Sequence, residues 1–174
     1  VLGMGTVAYT AVFGLCGATV TVTIAVAASL VRRFSQARQV RVGLIAGLVV
    51  DTVFAGVCLT WLREPVTGPE RMPLLVAVVA LFLAHVACLG LSMGNVPALA
   101  LDRTGRWAGT GSALLGFLQF VVGGLVSPLV GLTGEASGVA FGVVIVAVGA
   151  IANILAVFGL RERGEKQRLA AQVT

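Results

Sequence analysis

Five stretches of the chain run apolar for twenty residues or more, and short charged clusters separate them. Residues 1–31, 107–134 and 136–160 carry no charge at all. Residues 42–62 are broken only by Asp51, and residues 72–101 hold His85 as their only ionisable group apart from Cys88. The apolar positions do not alternate with polar ones, as the strands of a membrane barrel must. About 20 helical residues cross the roughly 30 Å of a bilayer's hydrocarbon core. The pattern therefore predicts five membrane-spanning helices, at about 8–31, 42–62, 73–100, 108–132 and 137–160, inside one unit of residues 1–162. A polar tail, 163–174, follows.

Composition strengthens this reading. Hydrophobic residues make up 58% of the 174-residue chain and charged residues only 11%, against about 25% in soluble domains. A soluble core of this size cannot hide so much apolar surface. The lipid bilayer is the expected partner. The net charge of +5 does not point to nucleic acid, because the basic residues sit in short clusters beside apolar runs. Such clusters set membrane topology. Counted along the five charged segments, Lys and Arg number 4, 2, 2, 0 and 4. Arg32, Arg33, Arg103 and Arg106 mark the first and third segments, which together with the tail belong in the cytoplasm by the positive-inside rule. Trp61 and Trp107 fall at predicted span ends, where indole rings favour the interface. The chain opens at Val1 already inside apolar sequence, and its first run is longer than a signal-peptide core of about 7–15 residues. A missing natural start is expected rather than a cleaved leader.

Small residues recur at helical spacing, as close helix packing in lipid requires. Gly14, Gly17, Thr21, Ala25 and Ala28 form such a stripe in the first span, and Gly43, Gly47, Asp51 and Ala55 in the second. Gly109, Ser112, Gly116 and Gly123, with Gln119 among them, form one in the fourth. Gly138, Gly142, Gly149 and Asn153 do so in the fifth. The third span differs: His85, Cys88, Ser92 and Asn95 share one polar sector. Two readings stay open for it, a cavity lining or hydrogen bonds to a neighbouring helix. Ionisable groups at membrane depth are functional candidates by default. Asp51 lies near mid-membrane, where an ionised Asp costs about 2.5–3.5 kcal/mol on insertion scales. No Lys or Arg lies inside a span to pair with it, and His85 is the other charge-bearing candidate at depth. Pro97 and Pro128 each remove a helix hydrogen bond and can kink their spans.

Enzyme chemistry is not expected. One histidine, one buried aspartate and scattered hydroxyls make no nucleophile–base pair or metal cluster. Cys16, Cys58 and Cys88 form no C-x-x-C pair and read as buried, inert thiols. No metal or cofactor is implied.

The stretch GNVPALALDRTGRWAGTGSALLGFLQFVVGGLVSPLVGL, residues 94–132, resembles the tenth-to-eleventh helix region of the Bcr/CflA drug-resistance transporters of the major facilitator superfamily. Asn95, Ala108, Gly109, Ser112, Ala113, Leu114, Gly116 and Gln119 carry the likeness. Residues 29–38, SLVRRFSQAR, resemble that family's basic loop between helices eight and nine. The resemblance implies an all-α membrane fold in which the five spans are helices eight to twelve, most of a C-terminal six-helix half. It implies a fragment of a proton-coupled multidrug efflux transporter in the bacterial plasma membrane, with the N-terminal half as its missing partner and small drug-like molecules and protons as cargo. In that arrangement His85, Ser92, Asn95 and Gln119 are substrate-cavity candidates, and the helices bearing Asp51 and Asn153 are peripheral supports. The alternative is a five-span accessory subunit that binds a partner through its glycine-rich faces.

Overall fold

A computed structural model of the chain describes residues 5–63, 66, 68–102, 104–131 and 138–173, the last stretch beyond residue 159 as helical backbone. Arg103 of the predicted topology loop, Glu64 and Glu135 lie outside the described residues. The described residues are helical and contain no strand. In lipid every backbone polar group must be satisfied within the segment, which leaves the helix as the solution for a single apolar run.

Helix α1 covers Thr6–Leu30, α2 Gln36–Trp61, α3 Arg71–Met93, α4 Asn95–Leu101, α5 Ala108–Val130 and α6 Val139–Val173. A short 3-10 turn, Gly105–Trp107, precedes α5. Five of these stretches are long and apolar enough to cross a membrane, with α3 and α4 counted as one span, Arg71–Leu101. The chain is thus an all-α, multi-pass membrane protein. Threonines inside the spans turn their hydroxyls back on their own helix, as Thr19 to the Leu15 carbonyl at 2.8 Å and Thr52 to the Leu48 carbonyl at 2.7 Å. Their polarity is therefore satisfied without a partner. Helix α6 runs on through the residues expected as a polar tail.

The break between α3 and α4 falls at Gly94, three residues before Pro97. Proline cannot donate to the carbonyl four residues back, and its ring crowds that carbonyl. Here that is the carbonyl of Met93, the last residue of α3. The start of α2 is fixed by Ser35, whose hydroxyl accepts from the Arg38 backbone N–H at 3.3 Å, as an N-cap should.

Helix α2 is the centre of the bundle. One third of its most apolar stretch is buried, against none in α5. It lies antiparallel between α3 and α6, and α1 packs on α3. The Gly43, Gly47, Asp51, Ala55 stripe is buried along its whole length. A Cβ at Gly43 would stand 2.9 Å from the Cys88 carbonyl oxygen, and one at Gly142 2.8 Å from the Cys58 Cβ. Only glycine permits these two approaches. Toward the end of α2, Phe54, Cys58 and Leu62 form the best-buried apolar cluster, with Leu81, Phe141 and Ile145 packed against it.

Two of the predicted stripes behave differently. In α1 the face turned to α3 holds Val20, Thr23 and Ala27, while Gly14 and Gly17 meet nothing within 4 Å. In α5, Gly109, Gly116 and Gly123 likewise have open space where a Cβ would stand, and Ser112 bonds only back to the Gly109 carbonyl. Both stripes face away from the other helices described. Spacing alone marks a small face and cannot say whether this chain supplies the neighbour for it.

Candidate functional site

The stripe of α2 and the polar sector of α3 meet at mid-membrane. His85 Nδ1 and Asp51 Oδ1 lie 2.5 Å apart, with the two side chains 15% and 4% exposed. The partner for Asp51 is therefore the histidine one helix away. Asp51 stands about 12 Å along its helix from Gly43, at 1.5 Å per residue. Its second oxygen faces α6, where a Cβ on Gly149 would stand 2.8 Å from Oδ2. Glycine at 149 makes room for the carboxylate.

A cavity of about 240 Å³ opens beside the pair, between α2, α3 and α6. Gly43, Gly47, Cys88, Ser92 and Asn153 line it together with Asp51 and His85. Asn153 donates to the Leu44 carbonyl and to the Gly149 carbonyl, both at 2.9 Å, and so ties α6 to α2. Ser92 is 7% exposed, and its hydroxyl has no hydrogen-bond partner. Toward the Trp61 end of α2 stand three phenylalanines. Phe82 stacks on the His85 ring, and Phe82 and Phe54 both pack against Phe141.

The expected candidates do not all meet at this cavity. Asp51 and Asn153, expected on peripheral supports, line the same cavity as His85 and Ser92. Asn95 lies outside it: its amide donates to Gln39 Oε1 at 3.2 Å and to the Leu91 carbonyl at 2.8 Å. Gln119 is exposed on α5, away from the other three candidates. Gln39 is the residue that sequence reasoning missed. It is 5% exposed and stands four residues before Gly43, so extending the spacing-of-four stripe by one step finds it. Among the described residues no group of three His, Cys, Asp or Glu side chains is arranged to hold a metal.

Helices α1 and α3–α4 end near where α2 begins, so Arg32, Arg33, Arg38 and Arg106 gather at one end of the bundle. Arg38 lies over the Phe34 ring at 5.0 Å and Arg106 over the Trp107 ring at 5.1 Å. Both rings are exposed there.

Over 88 residues the chain is 38% identical to an uncharacterized MFS-type transporter, YdgK, of Bacillus subtilis (strain 168). The chain is similar to a transporter. The match takes in 51% of this chain and 21% of that protein, so it spans about a fifth of the relative's length. No family model matches the chain, and no solved structure matches it significantly. The likeness is to an MFS-type transporter, and the five apolar spans accord with it.

Proposed function

We propose that the intact protein is a proton-coupled efflux transporter of the Bcr/CflA type, exporting small amphipathic drugs across the bacterial plasma membrane. The observation that carries this reading is the likeness to an MFS-type transporter, together with the Bcr/CflA-like stretch at residues 94–132. In this reading α1, α2, α3–α4, α5 and α6 are helices eight to twelve. The basic-loop end and the C-terminus face the cytoplasm, as the Arg distribution favours. The open small-residue faces of α1 and α5 then pack against helices of the intact protein, which include its N-terminal half. Transporters with two such halves bind cargo between them and alternate access by rocking one against the other. His85, Ser92, Asn95 and Gln119 remain the candidates for the cargo path, Gln119 on the outward face of α5 and the others on α3–α4.

The test uses the full-length gene. Its expression lowers drug accumulation in cells, and a protonophore abolishes the effect. Accumulation that ignores the protonophore refutes proton coupling, and accumulation unchanged by expression refutes efflux. This chain alone, reconstituted in vesicles, gives no drug flux.

A further inference from the structure

We propose that the Asp51–His85 pair is a proton-exchange site, open to the basic-loop end of the bundle through the α2/α3/α6 cavity and closed to the opposite end by the Phe54, Phe82 and Phe141 cluster. Three independent observations carry it. The first is the pair itself, a carboxylate and an imidazole 2.5 Å apart at mid-membrane. The second is the one-sided surroundings. Gly43, Ser92 and Asn153 line the cavity on the basic-loop side of the pair, and the three phenylalanines lie on its other side. The third is the Ser92 hydroxyl, buried in the cavity wall with no partner. A volume of about 240 Å³ far exceeds the about 10–15 Å³ that one water needs. Proton access requires water to enter this largely apolar cavity beside Ser92 and reach the pair.

The proton balance is simple. With Nε2 protonated and one further proton between Nδ1 and Oδ1, the pair is neutral overall. Releasing that shared proton leaves a neutral imidazole beside a carboxylate, a charge of −1. Uptake from the same side restores neutrality. An unpaired charge at this depth is costly, so the anionic state depends on the cavity being wet. Among the described residues no other charged side chain lines the cavity beside the pair. From α3 the Cys88 thiol stands in the cavity wall, from α2 no other charged group does, and from α6 Gly149 and Asn153 face it in a span with no ionisable residue.

The coupling role rests on the transport reading above, whereas the titration itself does not. The chain has a single histidine, so nitrogen NMR of the wild-type chain, labelled at histidine and held in lipid bilayers, reports His85 directly. Over a pH series from about 5 to 8 the expected result is a change in the His85 ring signals, and Asp51→Asn alters that response. The carboxyl carbon signals of labelled aspartate, which arise from Asp51 and Asp102 alone, provide a second readout without any substitution. A His85 signal constant across that range, with a constant Asp51 carboxyl, overturns the proposal. Sidedness is read from Cys88 in a chain with Cys16→Ser and Cys58→Ala. A charged, membrane-impermeant thiosulfonate modifies it from the basic-loop side only. Modification from the opposite side only, or from neither, overturns the one-sided access. Titration without drug efflux by the full-length protein leaves the proton site standing and sinks the efflux reading instead.

Discussion

Replacing His85 by Phe leaves Asp51 buried at 2% exposure without the imidazole it pairs with. Two separate arguments set the cost. Removing one partner of a buried ion pair destabilises by about 3–5 kcal/mol, because the other charge stays uncompensated. An Asp at the centre of a membrane helix costs about 2.5–3.5 kcal/mol on insertion scales. The two ranges meet near 3 kcal/mol, roughly a 150-fold loss in the folded fraction at about 1.4 kcal/mol per decade. The magnitude has a structural signature. With Asp51→Leu added, the site becomes wholly apolar with nearly the original shape, and replacing a whole buried pair by packed hydrophobics is often neutral or better. The double variant therefore recovers to within about 1 kcal/mol of wild type. Reversible unfolding of the chain in mixed micelles, followed by helix content and repeated for both variants, measures this. A single variant that loses less than about 1 kcal/mol, or a double variant no better than the single, refutes the view that the pair is held by mutual compensation in a low-dielectric site.

Four further substitutions test the packing. Gly142→Val drives a Cβ to 2.8 Å from the Cys58 Cβ and 3.1 Å from the Ala55 Cα, and overpacking of this kind costs about 1–3 kcal/mol. Gly17→Ala, with open space around it, serves as the neutral control in the same unfolding assay. Asn153→Ala removes the side-chain bond to the Leu44 carbonyl and costs about 0.6 kcal/mol, the average for interhelical bonds in membranes; a loss above about 2 kcal/mol means Asn153 does more than tie α6 to α2. Gly116→Leu leaves the unfolding of this chain unchanged, because no other helix described comes within 4 Å of where its Cβ would stand. In the full-length protein the same substitution lowers transport, and unimpaired transport there shows that the α5 stripe has no neighbour at all.

Hydrophobic run length and the punctuating charges were enough to read the number of spans. A backbone in lipid has no alternative to the helix, and charge is too costly to place inside a span without compensation. The α2 stripe was legible too, since four-residue spacing puts Gly43, Gly47, Asp51 and Ala55 on one face whatever surrounds the helix. What spacing cannot carry is the azimuth of one helix against another. The partner of Asp51 depends on which faces of α2 and α3 meet, and 34 residues separate it from His85. The same blindness hid the pairing of Asn95 with Gln39. It made the small face of α1 look like its packing face, when Val20, Thr23 and Ala27 take that part. Membrane helices associate by close packing and a few polar bonds rather than by hiding apolar surface from water. Every apolar face therefore looks alike along the sequence, and only the assembled bundle decides which polar groups meet. The sequence by itself determined that the chain is five helices in a bilayer. The tertiary structure decided that Asp51 and His85 are one site, beside a cavity between three helices.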